Sequence, residues 1–152
     1  MASWVIYALL AAVSAALVGI FSKVGIVGID STLATSLRGL IIGVFMGAAA
    51  LFLGKWDTVM ETPPKAFLFI FLAAIAGGLS WLWGFMALKA GGEVTAVNAL
   101  DKLSLLLVVV FAVMFLGEEF TWAKLFGAVM IVVGTIFVSF KPEQIRQFFG
   151  WI

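Results

Sequence analysis

The sequence predicts an all-α membrane protein with five transmembrane helices. Three observations predict it. Of the 152 residues, 64% are hydrophobic and only 11% charged, whereas a soluble domain carries about a quarter of its residues as charges to cover its surface. The apolar residues gather into five long stretches, each close to the roughly 20 residues that a helix needs to cross about 30 Å of hydrocarbon. The segments between the stretches are short and hold turn formers and charges, too few to fold in water by themselves.

The first span runs from about Ser3 to Phe21 and closes at Lys23. No basic residue precedes its apolar run, which is also long for a signal peptide, so a retained helix is expected. The second, Ser31 to Leu53, ends in Gly54, Lys55, Trp56 and Asp57. The third follows Pro63-Pro64 and extends from Lys65 to Leu88, because proline suits the first turn of a helix and not its interior. The fourth, Val94 to Leu116, stops at Gly117-Glu118-Glu119, and the fifth, Thr121 to Phe140, stops at Lys141-Pro142. Residues 1–140 are thus expected to form one five-helix domain whose neighbouring helices run antiparallel. Residues 141–152, with Phe148, Phe149, Trp151 and Ile152 among polar groups, are expected to lie on the interface. Trp4, Trp56 and Trp122 then fall at one membrane face and Trp151 at the other, as an aromatic belt requires.

The same composition excludes other classes. There is no Cys and no His, so thiolate chemistry, cysteine-based metal sites and the usual proton shuttle are absent, and no metal or cofactor is expected. A net charge of +1 with no basic run gives nothing to hold nucleic acid. Neither G-x-S-x-G nor a phosphate-cradling GxxxxGK[ST] loop occurs. The chain is not expected to be an enzyme, and its first partner is the lipid bilayer.

Five spans place the two termini on opposite sides. The side holding the N-terminus carries Lys55, Lys65 and Lys124; the other carries Lys23, Lys89, Lys141 and Arg146. Orientation follows the Lys/Arg bias near helix ends, and three against four is almost none. Two explanations are open: one orientation with a weak determinant, or insertion both ways with antiparallel pairing of two chains. Many transporters contain two inverted repeats around a midplane site, and an antiparallel dimer of a five-helix chain would supply both.

An ionisable side chain within the hydrocarbon costs roughly 2.5–3.5 kcal/mol on insertion scales. Arg38 lies about seven residues inside the second span, and Asp101 and Lys102 lie equally far inside the fourth. Trp81 of the third span falls at a similar depth. Asn98, Asp101 and Lys102 follow i, i+3, i+4 spacing and form one polar stripe. The simplest satisfied arrangement pairs Arg38 with Asp101 and lets Lys102 reach toward the surface. Such a pair either joins two helices or lines a polar cavity. Arg38, Trp81, Asn98, Asp101 and Lys102 are therefore the candidates for lining a substrate cavity, with at most one of Trp81 and Trp83 facing it. Lys23 and Lys89, near helix ends, read as snorkelling anchors. Gly39, Gly43 and Gly47 recur every four residues, the spacing that lets helices approach closely; they serve packing, or bending and sliding during a conformational cycle.

These residues resemble a known family. Lys23, the arginine in SLRG (Ser36 to Gly39), GFMALKAGG (Gly84 to Gly92), ALDKLS (Ala99 to Ser104) and FLGEEFTWAKLFGAVMIVVGTIFV (Phe115 to Val138) resemble a single EamA-type domain of the drug/metabolite transporter superfamily. The resemblance implies a multi-pass protein of the cytoplasmic membrane that moves a small solute by alternating access. Larger members carry two such domains in inverted orientation, so one repeat is expected to work as an antiparallel homodimer of ten helices. The alternatives are a non-transporting membrane scaffold and one half of a heterodimeric transporter. The chain departs from the distantly related four-helix small multidrug resistance proteins, whose first helix carries an embedded glutamate. The first span here has no acid, so that mechanism does not transfer, and Asp101 is the one carboxylate placed deep in a span.

Overall fold

Five helical spans long and apolar enough to cross a bilayer run through the computed structural model, which describes residues 2–140. They comprise α1 (Ser3–Gly25), α2 (Ser31–Phe52), α3 (Pro64–Lys89), the pair α4 (Val94–Asp101) and α5 (Ser104–Leu116), and α6 (Trp122–Ser139). A short 3-10 helix, Trp56–Glu61, lies between α2 and α3. The described residues contain no strand, as the composition requires. The tail expected on the interface, 141–152, lies outside the described residues.

One element differs from the continuous helix expected over residues 94–116. The α-helical ladder breaks at Lys102–Leu103, where Lys102 N–H bonds to Ala99 O at 2.9 Å and Leu103 N–H to Leu100 O at 3.0 Å. The same shorter step continues from Leu105 to Lys102 O and from Leu106 to Leu103 O. These are i→i−3 bonds, which tighten a turn, here without glycine or proline. The backbone stays right-handed through this step, so the span runs on through a 3-10 turn that its charged pair borders.

The chain divides after Gly91 into two compact units. In the first, α3 packs along α2 and touches α1; in the second, α6 packs against both α4 and α5. Few apolar side chains are buried. Ile26, Phe85, Leu88, Ala112 and Ala128 are, whereas Phe45, Phe52 and Leu116 are 70–89% exposed. An exposed apolar surface on this scale is what a bilayer accepts, since lipid tails are as apolar as leucine. A helix satisfies its own interior backbone groups, the condition for crossing a membrane.

Local chemistry sets the helix ends. Asp30 caps α2, its carboxylate accepting from Thr32 N–H at 2.8 Å and Leu33 N–H at 3.2 Å. Those backbone bonds, first from Leu33 and then from Thr32, hold the Asp30 carboxyl below its ordinary range, and Lys89 at 3.9 Å adds to the effect. Gly117 ends α5 in the left-handed region at φ +68°, and Glu118 N–H returns to Ala112 O at 3.2 Å. This i→i−6 closure favours glycine at 117 because a Cβ strains the left-handed conformation. Thr121 then caps α6 by accepting from Lys124 N–H, while Lys124 Nζ reaches Glu118 at 3.3 Å. The Leu-Gly-Glu-Glu-Phe-Thr run is thus a compact turn between two spans.

A Gly117→Ala variant should lose about 1–2 kcal/mol of stability, from the left-handed backbone alone. A Cβ there would meet no atom within 4 Å, so steric clash adds nothing. Thermal unfolding of the purified protein in detergent measures the loss; an unchanged midpoint would show that the turn relaxes freely.

Candidate functional site

Each unit contains a cluster of polar groups inside an apolar setting. In the first, Arg38 follows Ser31 by seven residues on α2, which sets it roughly 10 Å along the helix from its start. Its guanidinium stacks over Trp81 of α3 with the carbon 4.3 Å from the ring centroid, and it lies 6.0 Å from the Phe85 ring. Trp81 and Phe85 are four residues apart and share one face of α3. The structure therefore brings together two of the expected residues, Arg38 and Trp81. Trp83, which points elsewhere, is 63% exposed.

Beside this stack lies a cavity of about 430 Å³. Val18 and Phe21 of α1, Leu37 and Ile41 of α2, and Phe85 of α3 line it, and Arg38 brings the one charge among its described lining residues. Two lysines tie helix ends together in the same unit. Lys23 Nζ donates to Leu88 O at 3.0 Å, joining the end of α1 to the end of α3, where a positive charge also complements the helix dipole. Lys89 reaches Asp30 from the same end of α3. Both lysines thus join helices, a role beyond the anchoring expected of them.

In the second unit Lys102 Nζ pairs with Asp101 at 3.2 Å, and both side chains are more than half exposed. Asn98 turns its amide back to Val94 O at 2.8 Å. Asp101 is the last residue of α4 and Lys102 follows it at the break, so the expected stripe of Asn98, Asp101 and Lys102 ends at a 3-10 turn. Within its own unit each group has a local partner: an aromatic face for the arginine and a neighbouring lysine for the aspartate.

The glycine stripe has an uneven environment. A Cβ at Gly39 or Gly43 would meet nothing within 4 Å, while Gly47 faces Trp56 at 3.9 Å. Trp56 donates its indole N–H to Gly47 O at 3.0 Å, folding the 3-10 helix back onto α2. Phe85 and the apolar trough are the features that sequence reasoning missed. The i, i+4 spacing from Trp81 to Phe85 was a signal for them, but in a span rich in Phe and Leu it does not stand out.

Five apolar spans with ionisable groups placed inside two of them define a multi-pass α-helical membrane protein. Residues 2–140 match the EamA-like transporter family, and the chain belongs to that family. It is a membrane transporter of the drug/metabolite transporter type. A protein of Sinorhizobium sp described as an uncharacterized transporter in cobO 3'region is 39% identical over 137 residues, covering 90% of this chain and 96% of that protein. No solved structure matches the chain.

Proposed function

We propose that the protein moves a small organic solute across the cytoplasmic membrane by alternating access, as an antiparallel homodimer in which each chain is one five-helix repeat. One observation carries the transport mechanism: the fourth span is interrupted by a 3-10 turn at its only two charges, Asp101 and Lys102. Discontinuous helices in transporters place solute and ion sites at such interruptions, where irregular backbone is tolerated because it lines a cavity. Arg38, Trp81, Asn98, Asp101 and Lys102 are the residues proposed to line the path. The near-equal Lys/Arg count on the two sides supports dual insertion. The open face at Gly39 and Gly43 leaves room for a helix of the second chain to approach closely.

Counterflow in proteoliposomes tests the transport reading. A panel of small organic solutes is first ranked by thermal stabilisation of the purified protein. The best stabiliser, loaded inside the vesicles, should then drive saturable uptake of its labelled form. Vesicles holding the protein that accumulate no more label than empty ones would favour a non-transporting membrane subunit.

A further inference from the structure

The cavity beside Arg38 has a chemistry that narrows the cargo. Its lining is apolar apart from Ser22 and one guanidinium, whose carbon lies over the Trp81 ring, 4.3 Å from the centroid. Within the unit that holds Arg38, among the described residues, no hydrogen-bond acceptor or carboxylate meets the guanidinium edge. An arginine carries five N–H donors in a planar fork that matches a carboxylate in two parallel bonds. Stacking on an aromatic ring satisfies the face of the group and fixes the plane of the fork while leaving those donors unused. A cation held about 10 Å inside a span, with its donors open and an apolar trough beside it, is complementary to an anion that carries an apolar body.

We propose that this trough binds a small amphipathic organic monoanion, its carboxylate on Arg38 and its apolar body along Val18, Phe21, Leu37, Ile41 and Phe85. The inference rests on the transporter reading and names its substrate class. Three features select this occupant. A volume of about 430 Å³ falls within the range of roughly 300–1,000 Å³ typical of small-molecule sites. A single cation in an apolar lining matches one negative charge; a dianion would leave the second unpaired in a medium that penalises it. The arginine also lies deeper than the zone of phospholipid headgroups, which flank the hydrocarbon, so a free organic acid reaches it better than a membrane lipid.

Equilibrium binding to the purified full-length protein in phosphatidylcholine nanodiscs tests the assignment. Cyclohexanecarboxylate and octanoate are compared with their neutral amides and with octyl phosphate. The carboxylates should bind at one site per chain, about tenfold or more tighter than the amides, since hydrogen bonds to a charged group supply that margin. Arg38→Gln should abolish the preference for the acid over the amide. Arg38→Lys should restore part of it, because the charge returns without the fork. Equal affinity for acid and amide in the unaltered protein would overturn the proposal without recourse to any variant. So would a preference for octyl phosphate, or loss of carboxylate binding when phosphatidylglycerol replaces phosphatidylcholine, which would identify a lipid anion as the occupant. Binding of the carboxylate without counterflow would sink the transport reading and leave the site standing. Counterflow of another solute with no carboxylate binding would sink this inference alone.

Discussion

Adding two or three lysines to the loops on one membrane side should abolish transport by the protein expressed alone. Alternation of five spans would put the loops after α2 and α5 on one side, and those after α1 and α3 on the other. In the unaltered chain the basic residues of the two sides, Lys55, Lys65 and Lys124 against Lys23, Lys89, Lys141 and Arg146, nearly cancel. Orientation responds to Lys and Arg near helix ends, so a few added charges should convert a mixed population into one orientation. If the active unit pairs opposite orientations, the locked chain has no partner. Activity should fall to the level of empty vesicles and return when chains locked in opposite senses are co-expressed. Reporter fusions at the C-terminus check the premise: the unaltered protein should report both sides and each locked form only one. Full activity from a locked form expressed alone would contradict the antiparallel pair.

Asp101→Asn should slow transport by about tenfold or more, with Lys55→Gln within about twofold of the unaltered protein. The contrast follows from location. Lys55 lies in an exposed loop, where a charge has little energetic weight. Asp101 is the partner of Lys102 at the helix break, and neutralising it leaves an ammonium inside the span, at a cost of roughly 2.5–3.5 kcal/mol on insertion scales. The double variant Asp101→Asn/Lys102→Gln separates two roles for the pair. It removes both charges, so any purely structural penalty should be relieved while a role in the solute path stays lost. Initial uptake rates in proteoliposomes, normalised to folded protein, measure both effects. Recovery in the double variant would make the pair a structural element only.

Legibility differed between the helix ends and the interior. The ends follow from neighbours in sequence. Asp30 precedes the two amides that it accepts, and Gly117 lies where the chain must turn left-handed. A reader of the residues alone can place such features because their partners are two to six positions away. That α3 presents Trp81 and Phe85 to Arg38 depends on how two helices are rotated against each other, which a similar depth along the chain does not fix. The break at Lys102–Leu103 carries no glycine or proline to announce it, only the charged residues themselves. Lys23 looked like a surface anchor, and its bond to Leu88 O depends on where α3 ends in space.

The sequence by itself determined that five helices cross a bilayer, roughly where each ends, and how deep the charges lie. Hydropathy and length are set by the thickness of the hydrocarbon, a constraint that acts on each segment separately. Only the tertiary structure decided which side chains meet, where the fourth span yields, and that a cavity opens beside Arg38. The physical reason lies in the solvent. In water, a polar outer face reveals which stripe of a helix is buried. In lipid, both faces are apolar, so the rotation of each helix leaves almost no trace in the periodicity and becomes visible only once the helices are packed.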